Sequence, residues 1–126
     1  MTAVADTSVL VDYLRDSDPA VRLVEEALGG GERVAASALT RLELLAGERE
    51  GERPIIEGLF EAIDWISVTT GIADRAGLLA QEYARSHPGI ELADLAIAAT
   101  AERLGGALWT RNVRHFPMFP DLESPY

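Results

Sequence analysis

Val4-Ala5-Asp6-Thr7-Ser8-Val9-Leu10-Val11-Asp12-Tyr13-Leu14 reads as a short apolar strand that ends on a carboxylate and turns directly into an amphipathic helix. Val9, Leu10, Tyr13 and Leu14 recur at helical spacing and give that helix one apolar face. Open α/β sheets carry their chemistry at the carboxyl ends of strands, and Asp6 stands at such an end. The plainer reading makes Asp6 or Ser8 a helix cap, because short polar side chains accept from free helical N–H groups. The choice between the two depends on whether other acids converge on the same place.

Outward from this stretch, the pattern repeats. Strands are predicted at 2–6, 33–37, 65–69 and 107–110; the tail, with Pro117, Pro120 and Pro125, reads as mostly loop, with a short fifth strand near 118–122 as the alternative. Helices are predicted at 7–16, 20–28, 38–50, 54–62, 71–86 and 91–104. Gly29-Gly30-Gly31, Gly51, His87-Pro88-Gly89 and Gly105-Gly106 punctuate them. Short strands alternating with helices imply an α/β fold, a parallel sheet covered on both faces.

The 126 residues suit one domain, 1–126, with a sizeable core. No run of about 18 apolar residues is present, so no membrane span is expected. The N-terminus shows no basic region followed by an apolar one, so no secretory signal is expected. The absence of cysteine excludes disulfides and thiolate metal sites and fits a cytoplasmic protein. A net charge of −10 argues against a protein that grips nucleic acid with its whole surface. It leaves room for a local basic lip around an acidic pocket that a cation or a basic partner would neutralise. All eleven basic residues are Arg and none is Lys, which reads as genome bias before phosphate recognition.

Two further acids lie where an ordinary core would not put them. Glu43 shares a stripe with Leu39 and Ala46, spaced i, i+4, i+7, and that stripe is expected to face the core. The alternative is a capping box from Thr40 and Glu43, which requires the helix to start at Thr40. Asp94 is the lone acid on the stripe of Ile97, Ala98 and Ala101; its alternative is a first-turn acid favoured by the helix dipole. Glu91 reads as a solvated first-turn acid. Asn112 follows the fourth strand, with Ser8 and Thr110 as supporting hydroxyls. Arg111 and Arg114, with His115 as a further donor, put positive charge beside the same corner, where it would meet a phosphate backbone. Asp12 is expected to face solvent.

Asp6, Glu43, Asp94 and Asn112 are all oxygen donors, the set that hard cations choose. His87 and His115 offer no zinc spacing. Mg²⁺ or Mn²⁺ held by Asp6 and Asp94 suits phosphodiester hydrolysis, with Asp6, Glu43, Asp94 and Asn112 as the catalytic set.

Four motifs in order, Asp-Thr-Ser-Val-Leu-Val-Asp-Tyr-Leu at 6–14, Ser-Ala-Leu-Thr-Arg-Leu-Glu-Leu-Leu-Ala-Gly at 37–47, Leu-Ala-Asp-Leu-Ala-Ile-Ala-Ala-Thr-Ala at 92–101 and Trp-Thr-Arg-Asn-Val-Arg-His-Phe at 109–116, span nearly the whole chain. Together they resemble the PIN-domain family, and within it the VapC ribonuclease toxins of type II toxin–antitoxin pairs. The resemblance implies a three-layer α/β/α domain with a central parallel sheet of four or five strands. It implies a Mg²⁺- or Mn²⁺-dependent endoribonuclease, a homodimer, and a cognate VapB-like antitoxin whose tail covers the groove. By position, Asp6, Glu43 and Asp94 match the three core acids. Asn112 stands where many members carry a fourth acid, a change that removes a charge and favours one metal over two. A non-catalytic PIN-fold interaction module is the alternative, and Asn112 leaves room for it. A Mg²⁺ phosphatase of another α/β fold would want an acid where Ser8 stands, and no G-x-G-x-x-G supports a dinucleotide enzyme.

Overall fold

Alternation along the strands decides the layering. A computed structural model describes all 126 residues. β1 (Thr2–Ala5) lies between β2 (Arg33–Ser37) and β4 (Ala107–Trp109), and β3 (Asp64–Ile66) completes an all-parallel sheet in the order β3-β2-β1-β4. Val4 is in register with Ala35 and with Leu108. Because side chains alternate between faces, Val4, Ala35 and Leu108 project together to one side of the sheet, while Ala3, Ala5, Val34, Ala36 and Trp109 project to the other.

Each face is covered by its own helices. Val9, Leu10 and Leu14 of α1 (Thr7–Leu14), Val24 of α2 (Asp18–Gly29), Leu44 of α3 (Ala38–Ala46) and Ile56 and Leu59 of α4 (Arg53–Ala62) pack on the Ala3 side. Ile72 and Leu79 of α5 (Thr70–Tyr83) and Leu95 and Ile97 of α6 (Leu92–Leu104) pack on the Val4 side. The result is the expected α/β/α sandwich. α6 is buried continuously from Leu95 to Ala101, which explains its Ala-rich composition: small side chains let it lie close against α5 and the sheet. Truncating a fully buried residue such as Leu10 would open a cavity worth roughly 2–5 kcal/mol. No helix is long and apolar enough to cross a membrane.

Several boundaries differ from those expected. α1 stops at Leu14, and Asp16 takes a left-handed φ of 59°. α3 stops at Ala46, not at 50: Gly47 ends it, and Glu52 then takes the Arg49 N–H at 2.7 Å, closing a turn instead of a helix. The third strand is Asp64–Ile66, because Ser67–Thr69 lead into α5 and Thr69 caps it through Ile72 N. α5 ends at Tyr83 and not at 86. The alternative fifth strand near 118–122 does not form. Pro117 and Pro120 lack ladder donors, and the segment is held by turn bonds from Phe119 N to Phe116 O and from Leu122 N to Phe119 O.

Candidate active site

The carboxyl ends of β1 and β4 and the amino ends of α1 and α6 surround a cleft of about 300 Å³. Asp6 lies at its base and is only 3% exposed. It occupies the N-cap position of α1, yet its side chain caps nothing. Instead, Oδ2 accepts from Ser8 Oγ at 2.8 Å and from Thr110 Oγ1 at 2.7 Å. Those hydroxyls are aimed in turn by backbone: Arg111 N–H donates to Ser8 Oγ at 3.1 Å, and Asn112 N–H donates to Thr110 Oγ1 at 2.9 Å. Both proton positions are thereby directed at Oδ2, and no hydrogen bond within the chain involves Oδ1. Oδ1 is not sealed from solvent: it opens on the cleft, where a cation or another donor can meet it.

Glu43 comes from α3. Ser37 caps that helix through Leu39 N at 3.1 Å, so the helix starts before Thr40 and the alternative capping box does not form. The residues of α3 that face the core are Thr40 and Leu44; Leu39 and Glu43 lie one step around and are half-buried, Glu43 in the cleft wall, and Ala46 is exposed. The expectation that the Glu43 stripe faces the core is therefore corrected: helix rotation places it at the rim of the core. Thr7 Oγ1 donates to Glu43 Oε1 at 2.7 Å and lies 3.0 Å from Thr40 Oγ1, tying α1 to α3.

Asp94 takes its first-turn place in α6 and also lines the cleft. Its Oδ2 accepts from Glu91 N at 2.9 Å, which caps the amino end of α6, and also lies 3.2 Å from His115 Nδ1. Burial raises its pKa above the ordinary 3.8; the Glu91 N–H and His115 oppose this, while the charges of Asp6 and Glu91 add to it. The dependence on Asp6 places the two acids within electrostatic reach of one another.

Asp6, Ser8, Glu43, Asp94, Asn112 and Thr110 thus gather around one cleft, the first five in its wall and Thr110 behind Asp6. No three acidic or histidine side chains draw close enough to enclose a cation by themselves. The donor set instead fits an ion held by one or two carboxylates that keeps most of its waters, the Mg²⁺ habit.

The two arginines sit elsewhere. Arg111 Nη1 lies 2.8 Å from both Asp12 oxygens, so its guanidinium is spent on an ion pair outside the cleft and only its backbone serves the site. Asp12, expected to face solvent, accepts from Arg111 and from Tyr126 Oη at 2.6 Å, and its side chain is 17% exposed. Arg114 is exposed and lines a neighbouring pocket. His115 carries more of the site than its sequence position suggests. The signal for His115 was its spacing from Asn112: across the 3₁₀ turn Val113–His115, residues three apart eclipse, and both line the cleft.

The PIN domain family model matches residues 3–119. Ribonuclease VapC19 of Mycobacterium tuberculosis is 50% identical over 121 residues, covering 96% of this chain and 97% of that protein. Ribonuclease VapC10 of the same organism is 38% identical, covering 96% and 90%. A solved toxin–antitoxin complex from Klebsiella pneumoniae superposes with a TM-score of 0.81 at 27% identity, covering 98% of each chain. With the strand-end acid, its hydroxyl clamp and the two helix-borne acids all inside the matched region, the chain belongs to the PIN-domain family, among its VapC ribonucleases.

Proposed function

We propose that this protein is a divalent-metal-dependent endoribonuclease toxin that a VapB-like antitoxin neutralises. The observation that carries the reading is the half-saturated Asp6: one oxygen is locked by Ser8 and Thr110, and the other has no partner in a cleft shared with Asp94. Asp6 and Asp94 would hold Mg²⁺ or Mn²⁺. Bound there, the ion would supply Lewis acidity toward a phosphate and make a water more acidic.

The chain's own residues do the rest. Thr7 fixes Glu43 Oε1, leaving Oε2 without a hydrogen bond and able to take the proton of an attacking water. Water adds to phosphorus, the P–O bond to the leaving ribose oxygen breaks, and that oxygen takes a proton from solvent. The Asn112 side chain supplies neutral hydrogen bonding where a fourth acid would repel the phosphate. Arg114 gives the RNA backbone a cationic contact, whereas Arg111 is committed to Asp12. The acidic cleft favours an antitoxin segment that brings positive charge, and homologous complexes are named as toxin–antitoxin assemblies. A homodimer completes the proposal, and analytical ultracentrifugation tests it.

The direct test is cleavage of single-stranded RNA by purified protein with Mn²⁺ and with EDTA. Wild type should cut only with the metal. Asp6→Asn should remain folded and cut nothing. Undiminished cleavage by that variant overturns the assignment.

A further inference from the structure

Beside the cleft lies a second pocket of about 330 Å³, bounded by Ser86, His87, Pro88, Gly89, Arg114 and His115. His115 belongs to both walls, so this pocket adjoins the cleft. Its chemistry is the reverse of the cleft's. The cleft presents Asp6, Glu43, Glu91 and Asp94; the pocket presents one guanidinium and two imidazoles and no acid. In a chain with 21 acids against 11 arginines, such a lining is unusual. Arg114 has no ion pair or hydrogen bond, unlike Arg111, Arg75, Arg53 and Arg33, whose guanidiniums are all matched to carboxylates.

The His87 ring is held in place. Its Nδ1 lies 2.8 Å from Ser86 Oγ, and Tyr83 meets it edge-on at 6.1 Å, so Nε2 and a ring face are left free. Gly89 keeps the pocket open: a Cβ there would stand 3.7 Å from His115 Nε2, and any longer side chain would fill the space. Single-stranded RNA is recognised by phosphate contacts to cations and by stacking of splayed bases on flat side chains.

We infer that this pocket is the subsite for the nucleotide next to the scissile phosphate, with Arg114 on its backbone phosphate and the His87 ring against its base. The inference rests on the ribonuclease reading and deepens it. It makes the pocket, and not the acidic cleft, the place where sequence preference is set.

The test uses full-length protein in the inactive Asp6→Asn background, a fluorescein-labelled randomised 12-residue RNA, and fluorescence anisotropy across a salt series. Gly89→Leu plugs the pocket without changing charge, and Arg114→Ala removes the cation without filling it; thermal melts establish that each is folded. Gly89→Leu should weaken binding about tenfold, the loss expected for one stacked base, and Arg114→Ala should weaken it through the loss of one phosphate contact. Arg114→Ala should also reduce the salt slope by about 1, and Gly89→Leu should leave it intact. In the active background, Gly89→Leu should flatten the base preference at one position beside the cut. Unchanged affinity and cleavage pattern in both variants, while the parent binds and cuts RNA, overturns the subsite alone. Weakened antitoxin binding with unchanged RNA affinity overturns it in favour of a protein partner. A parent that neither binds nor cuts RNA overturns both readings.

Discussion

At Asp6 the two carboxylate oxygens are inequivalent, and the inequivalence is made by hydroxyls whose own acceptors are filled by backbone N–H groups. Groups that orient a ligand carboxylate cost about 10–100-fold when removed. Thr110→Val keeps the shape of a fully buried side chain and deletes the 2.7 Å bond, so it should lower RNA cleavage by about that factor with the fold retained, as circular dichroism would verify. Asp94 predicts a pH effect. Its folded pKa is raised, so between 3.8 and that higher value the folded state keeps a proton that the unfolded state releases. Stability attributable to Asp94 therefore falls as pH rises through that window, and the full penalty is present at neutral pH. Asp94→Asn retains an oxygen to accept from Glu91 N and carries no charge. It should raise the melting temperature at pH 7, show no gain well below pH 3.8, and abolish cleavage. A melting series from pH 3 to 7 reads the sign directly. Asp94 was legible as an acid on an apolar stripe and Asp6 as an acid at a strand end. The partner of Asp12 was not, because Arg111 and Tyr126 reach it from 99 and 114 residues away.

At the scale of elements, local chemistry sets the ends that position the site. Ser37 starts α3 early enough to bring Glu43 one turn into the helix and onto the cleft side. Ser37→Ala should cost about 1 kcal/mol in denaturant unfolding, as loss of an N-cap does. Gly105 ends α6 with a left-handed φ of 61° and hands the chain to β4. Gly105→Ala places a Cβ in that conformation and should cost roughly 1–2 kcal/mol, read as a lower midpoint at unchanged slope. These caps were readable from residue type and spacing. The end of α3 was not. Gly47 and Gly51 are equally good stops in sequence, and the ion pair of Glu48 with Arg53 and the Glu52 turn decide for the first. The fifth strand failed for a reason visible in its own prolines, whose missing N–H groups outweigh its apolar content.

For the whole molecule, a net charge of −10 and a cleft of carboxylates make cations and basic partners the natural complement. Anything that binds the folded state alone stabilises it, by about 2.7 kcal/mol at a hundredfold excess over Kd. Mn²⁺ or Mg²⁺ should raise the melting temperature of wild type, Ca²⁺-free and EDTA-treated, and leave that of Asp6→Asn unchanged; equal shifts in both would place the ion elsewhere. The sequence alone determined the class of fold, because strand and helix periods are local properties of which residues are apolar, and it marked Asp6, Glu43 and Asp94 as candidates, because an acid at a strand end or among apolar residues is visible locally. Only the tertiary structure decided which oxygen of Asp6 is bare, which arginine is free and which is spent, and that a basic pocket adjoins the acidic cleft. Those depend on side chains brought together by the order β3-β2-β1-β4, which sets Ser8 beside Arg111 and Thr110 beside Asp6 across about a hundred residues of chain. No periodicity along the chain encodes such a meeting.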